Sequence, residues 1–264
     1  MSSPAADAAP RPRLAALGPR AIAALSLAGL VLFWAGLAAL KGDPRVLPGP
    51  FQVAPIIARE AASGALWAAL SATLWRVAAA FALAMAIGAV IGVAMGRSRR
   101  LDLWLDPWLI FFLNLPALVT IVLAYLWIGL NETAAILAVA LNKIPTVAVT
   151  MREGARALEP RLDDMAAVFR MGRLDRLRHV VAPQLAPYLA ASARSGLSLI
   201  WKIVLVVEFL GRSNGVGFKI HYYFQLFDVG HVLAYALSFI VVMLAIEKLA
   251  LQPLERRAGR WRRA

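Results

Sequence analysis

The chain has 264 residues, 61% of them hydrophobic, and a mean hydropathy of +0.70. An ordinary soluble domain is about 45–50% apolar, so this composition excludes a simple soluble core and points to an integral membrane protein. The net charge of +13 would suit nucleic acid, but the basic residues gather between apolar runs, where membrane topology accounts for them; the lack of cysteine excludes disulfides, zinc-thiolate sites and cysteine nucleophiles.

Residues 1–18 are rich in Ala, Pro and Arg and read as a disordered cytoplasmic tail. A membrane domain is expected over residues 19–251, followed by a basic cytoplasmic C-terminus over 252–264. The first apolar span runs from about Pro19 to Leu40 and is longer than the core of a signal peptide, so it is expected to be retained. The second runs from about Leu66 to Met95 and leads into Gly96. Gly88, Gly92 and Gly96 recur every four residues there, which puts them on one helix face where another backbone can approach. That face serves either packing within the subunit or a subunit interface. The third span, about Leu105 to Ile128, contains Asn114 and Pro116. The fourth, about Thr133 to Met151, contains Asn142, Lys143 and Pro145. The two prolines predict kinks that neighbouring helices can tolerate. The asparagines either bridge helices or line a pathway. The fifth span, about Leu185 to Leu210, carries Arg194, Ser198 and Lys202 on one stripe; the sixth runs from about Val229 to Leu251.

The reading is thus an all-α, polytopic membrane protein of about six transmembrane helices. With six spans, the basic segments before span one, after span two, between spans four and five, and after span six all fall on one side. The excess of Lys and Arg makes that side cytoplasmic, with both termini there, as in a multi-pass bacterial inner-membrane protein.

A charge near the bilayer centre costs about 2.5–3.5 kcal/mol on insertion scales, so the Arg194–Ser198–Lys202 stripe needs water or a partner. Either it faces a wet pathway and attracts an anion, or Arg194 snorkels to the interface and Lys202 pairs with Glu208 or Glu247. His221, Tyr222, Tyr223 and Phe224 form an aromatic segment at the outer interface before span six.

The loop over about residues 152–184 is charged yet has helical apolar spacing. Pro160 suits a first helical turn, and Leu162, Met165, Ala166 and Phe169 then fall on one stripe. Gly172 offers a break, after which Leu174, Leu177 and Val181 repeat the pattern to Pro183. Two short amphipathic helices facing a cytoplasmic protein partner are expected.

The stretch from Asp164 to Pro183 resembles the coupling loop of permease subunits of ATP-binding-cassette importers. That pattern is Glu-Ala-Ala, three residues, Gly, nine residues, Ile, one residue, Leu-Pro. Asp164, Met165, Ala166, Val180, Ala182 and Pro183 stand at the matching positions, and Arg170 replaces the Gly, with Gly172 expected to supply the bend. Val46-Leu-Pro-Gly-Pro50, the Ser71–Phe81 stretch with Arg76, Gly96-Arg-Ser98, Leu105-Asp-Pro107, Leu126-Trp-Ile-Gly129 and Gly215-Val-Gly217 resemble the sulfonate, taurine and nitrate branch. The resemblance implies a permease, usually a homodimer in the lipid bilayer, fed by a periplasmic or extracellular solute-binding protein. It implies ATPase contact through Asp164, Met165, Ala166, Phe169, Arg170, Gly172 and Leu174, and a structural role for Arg76. No phosphate-cradling G-x-x-x-x-G-K-[ST] loop occurs, so ATP and Mg belong to partner ATPase subunits and no cofactor or nucleic acid is expected on this chain. The three histidines are scattered, which argues against an enzyme. An ATP-independent transporter would need no docking loop.

Overall fold

A computed structural model describes residues 18–251 and 253. The tails expected at 1–18 and 252–264 therefore lie almost wholly outside the described residues. The described chain is helical throughout, in the order α1 (Pro19–Lys41), α2 (Pro50–Ala62), α3 (Ala65–Arg97), α4 (Arg99–Asn114), α5 (Ala117–Ile128), α6 (Glu132–Arg156), α7 (Pro160–Val168), α8 (Arg173–Arg176), α9 (Ala182–Gly211), α10 (Val216–Gln225) and α11 (Val229–Ile246).

Among the described residues, α1, α3, α6 and α11 are each long and apolar enough to cross a membrane. The α4–α5 pair passes the same test only jointly and is bent by 97° at its break. Pro116 therefore does more than kink the predicted third span. It has no N–H to continue the helix, it pushes Leu115 out of helical geometry (ψ 120°), and it becomes the N-cap of α5. Pro145, by contrast, lies inside an unbroken α6. The predicted fifth span, α9, has 30 residues, enough length to cross at about 1.5 Å per residue, but it carries Arg194, Lys202 and Glu208. Apolar length alone thus accounts for four spans, or five with the bent pair, and not for α9.

The core is built on α3 and α6. A Cβ on Gly88 would stand 2.6 Å from Val147 Cβ, one on Gly92 would strike the Ala148 carbonyl and stand 2.8 Å from Met151 Cβ, and one on Gly96 would stand 2.5 Å from Ala155 Cβ. All three glycines therefore serve packing within the subunit. Val77, Ala80 and Ala84 on α3 meet Ala134, Ala135 and Ala138 on α6 and Ile200, Val204 and Val207 on α9 in the central cluster. A second cluster joins Leu66, Ala69 and Leu70 of α3 to Val216 of α10 and Tyr235, Phe239 and Met243 of α11. α2, between the first two predicted spans, starts at Pro50 and packs Val53 inside. By contrast, no part of the apolar window of α1 is buried, so its surface suits lipid or a second copy.

Gly92→Val is expected to destabilise the fold by about 1–3 kcal/mol or more, as overpacking does. Gly29→Val, on the open surface of α1 where a Cβ meets nothing within 4 Å, should leave stability unchanged. Thermal unfolding of the two purified variants checks this.

Candidate functional site

Three places carry chemistry. The first is an ionic cluster where the C-terminal end of α9 meets α3, α6 and α10. Arg76 is 2% exposed and Glu208 is fully buried. Arg76 Nη1 donates to Glu208 Oε1 at 2.6 Å, while Nε and Nη2 fork onto Glu132 at 2.7 and 2.6 Å. Asn214 accepts from the same guanidinium through its backbone carbonyl at 3.0 Å and through its side-chain oxygen. Glu208 also receives Thr73 Oγ1 at 2.9 Å and the Gly217 amide at 2.8 Å, and the Val216 amide donates to Thr73 Oγ1 at 2.8 Å. Arg212 adds a bond to Glu132 Oε1 at 2.6 Å.

This cluster explains the Gly215-Val216-Gly217 sequence. Gly215 sits at φ +106°, a backbone form that side chains disfavour, and a Cβ there would enter the Glu208 carboxylate. A Cβ on Gly217 would strike the Leu205 carbonyl. Glu208 is therefore not the partner of Lys202. Sequence reading placed Arg76 as structural but missed Glu208 and Glu132 as its partners. The available signal was a cation in the first half of one span and a lone acid at the end of another, which antiparallel spans bring to one side.

The second place is the exposed face of α9. Arg194 and Ser198 line one cleft with Leu197, Trp201, Ile240, Met243, Leu244 and Glu247. Lys202 is exposed further along the face, with its ammonium 5.5 Å from the centre of the Trp201 ring. Ser198 Oγ donates to the Ser195 carbonyl at 3.0 Å. The structure thus brings Arg194, Ser198 and Lys202 onto one open face, turned away from the buried face of Ser192, Gly196 and Ile200. It does not bring Asn114 or Asn142 to that cleft. Asn114 is exposed at the α4–α5 break and donates to the Ile110 carbonyl at 2.7 Å, within its own helix. Asn142 is half-buried on α6.

The third place is the loop between α6 and α9. α7 closes with the Arg170 amide donating to Ala167 O at 3.0 Å and the Met171 amide to Ala166 O at 2.9 Å, the paired bonds of a left-handed helix stop. Arg170 itself takes the left-handed form at φ +47°. Gly172 does not supply the bend: it is extended at φ −61°, ψ 159° and caps α8. The bend therefore falls where the family pattern has its Gly, because the geometry belongs to the position. From α8 the chain passes through a π turn, Leu177–Val181, directly into α9.

Ala166 is buried and anchors α7, while Phe169 is 73% and Leu174 75% exposed, with Met165, Val168 and Leu177 also open. Asp164 is exposed beside them. Asp163 takes Arg176 Nη2 at 2.8 Å and Arg97 Nη2 at 3.4 Å, tying α7 to α8 and to the end of α3. The Arg176 bond holds the Asp163 carboxyl below the usual carboxylate value, outweighing the opposing effect of partial desolvation. A depressed acid contributes above its ordinary value and loses that contribution as pH falls through the lower one. The clamp is thus complete at neutral pH and loosens only in acid. Glu159 N also donates to Gln184 Oε1 at 2.9 Å, closing the base of the loop.

Arg76→Met should cost about 3–5 kcal/mol, because it leaves Glu208 buried and unpaired, and adding Glu208→Met should recover part of the loss. Urea unfolding of the single and double variants measures this coupling. Arg170→Gly should be neutral or stabilise by up to about 1 kcal/mol, since Gly takes the left-handed form without strain. The same unfolding measurement checks it.

Residues 84–251 match the family described as the binding-protein-dependent transport system inner membrane component. The SsuC permease of Escherichia coli strain K12, named for aliphatic sulfonates transport, is 34% identical over 72% of this chain and 73% of its own. The riboflavin transport system permease protein RibX of Chloroflexus aurantiacus is 34% identical over 88% of this chain and 87% of its own. A chain in the crystal structure of an amino acid ABC transporter with histidines matches with a TM-score of 0.60 at 21% identity, over 76% of this chain and 97% of that one, which shows the fold. With the family match spanning most of the helical core, this chain belongs to the binding-protein-dependent transport system inner membrane components, membrane-spanning permease subunits that are not themselves catalytic.

Proposed function

We propose that this chain forms the solute pathway of an ATP-binding-cassette importer in a bacterial inner membrane, with both termini in the cytoplasm. Two copies form the pathway. Separate ATPase subunits, which bind ATP and Mg, dock on the α7–α8 loop, and a solute-binding protein delivers solute on the opposite side. The observation that carries the docking assignment is the apolar ridge of Met165, Val168, Phe169 and Leu174, exposed on an otherwise charged loop. Exposed apolar groups with a polar rim mark a protein contact. Arg170, Gly172 and Asp164 shape and border that ridge.

The solute is a small anion such as a sulfonate or nitrate. Relatives are named for solutes as different as aliphatic sulfonates and riboflavin, so support comes from this chain's own residues. Lys202 is an exposed cation on α9, and the acid nearest in sequence, Glu208, is committed to Arg76. An accessible cation in a membrane span suits an anion pathway.

Two outcomes are expected. Phe169→Glu should abolish co-purification of the ATPase subunit from the native host while leaving the permease folded; equal recovery of the ATPase would refute the docking surface. Lys202→Glu should cut solute uptake at least tenfold without changing assembly, and wild-type uptake by Lys202→Ala would rule out anion selection at this residue.

A further inference from the structure

We propose that the seam between α6 and α9 holds a small monovalent anion, ligated by the Lys143 ammonium and the Ser192 hydroxyl. This site lies inside the subunit, apart from the exposed stripe of Arg194, Ser198 and Lys202, and it does not rest on the importer reading.

Lys143 lies near the middle of α6 and is 2% exposed. Its Cε packs where a side chain on Gly196 would be, 3.3 Å from that missing Cβ position, with the Phe81 ring alongside. Gly196 thus leaves room on α9 for the lysine stem to run between the helices. Among the described residues the Lys143 Nζ has no hydrogen-bond partner. Ser192, one helical turn from Gly196 on the same buried face of α9, is 1% exposed, and its hydroxyl is also without a partner. Two orphaned donors, one of them cationic, therefore line one seam. Buried donors without acceptors are rare in folded proteins, and an unpaired cation in a dry interior is strongly unfavourable.

No acid of the packed helices can serve. α3 carries none. On α6, Glu132 and Glu153 lie about 15 Å or more away along the helix axis at 1.5 Å per residue, and Glu132 is bonded to Arg76. On α9 the one acid is Glu208, about 18 Å along the axis from Gly196 and bonded to Arg76. α5 carries no acid, and Asp102 and Asp106 of α4 are bonded to Arg152. A protonated Lys143 therefore draws its counter-charge from outside the packed side chains. One cation and one hydroxyl in an apolar seam suit a single negative charge with compact acceptors, such as chloride, nitrate or a short sulfonate.

The test follows thermal unfolding of the purified full-length chain in nanodiscs. Chloride, nitrate and methanesulfonate are each titrated against gluconate at constant ionic strength. The site predicts a saturable rise of several degrees in the wild type, absent in Lys143→Met and shifted to at least fivefold higher concentration in Ser192→Ala. A response to chloride alone assigns a resident ion. A larger response to nitrate or methanesulfonate assigns the chemistry of a transported solute. Equal midpoints in all salts, or a Lys143→Met response matching the wild type, would overturn the proposal. If Lys143→Met yields no folded protein, an unchanged response of Ser192→Ala overturns it instead. Because neither an ATPase nor uptake enters the measurement, a negative result leaves the importer reading standing.

Discussion

The contact on which the fold most depends is the ion pair between Arg76 and Glu208, closed off from solvent where α3, α6, α9 and α10 converge. Stripping both charges of water is expensive, and the expense is offset only if every remaining donor and acceptor is used. The surroundings meet that condition closely. Glu208 takes an arginine, a threonine hydroxyl and a backbone amide, and Arg76 divides its other N–H groups between Glu132 and Asn214. Such a cluster specifies one arrangement of four helices, since any slip of register would leave a charge unpaired. It also dictates local sequence: the turn into α10 must bring bare backbone against the carboxylate, and only glycine at 215 and 217 lets it do so.

The α3–α6 contact complements this constraint. In a membrane, apolar side chains gain little by leaving lipid for protein, so close packing of backbones and polar bonds must carry association. The glycine face of α3 supplies the first and the Arg76 cluster the second. They act at opposite ends of α3: the glycines lie toward Arg97, the ion pair toward Ala65. α3 and α6 are thus joined along their whole length, and α9 meets them in the central apolar cluster and at the ionic cluster. α1 lies outside this unit, while the bent α4–α5 pair packs Leu109, Ile121 and Tyr125 against it; Phe33, Trp104 and Trp127 stay exposed.

Much of this was legible from the sequence because its signals are periodic and strong. Apolar runs located α1, α3, α6, α9 and α11 to within a few residues, and the four-residue glycine repeat located the α3 packing face. Local rules failed where the answer was set by distant groups. Arg170 was read as a departure that would move the bend to Gly172, yet the left-handed stop stayed at 170, held by bonds back to Ala166 and Ala167. Pro116 was read as a kink, but the preceding Leu115 also left helical geometry and the span broke. Glu208 stands in the sequence, beside Glu247, as a candidate partner for Lys202. Its true partner, Arg76, is 132 residues away in sequence, and only a comparison of depth in the bilayer could have joined them. α2 was missed because its 13 residues are too short and mixed for a membrane span.

The continuity of α9 bears on how a permease of this kind could transmit work. The helical path that begins at Arg173 passes through the π turn into α9 and ends at Gly211, three residues beyond Glu208. One continuous lever therefore joins the exposed ridge at Leu174 to the face of Arg194, Ser198 and Lys202 and then to the ionic cluster. Its base is cross-tied to α7 and α3 through Asp163 and by the Glu159–Gln184 bond. A push on the loop cannot be absorbed by an intervening flexible segment, because none separates α8 from α9. Through the π turn, a push on the loop passes straight into α9, whose far end is held at Glu208. α9 thus carries three charges in two settings, its one acid paired in the buried ionic cluster and its two cations on an open face.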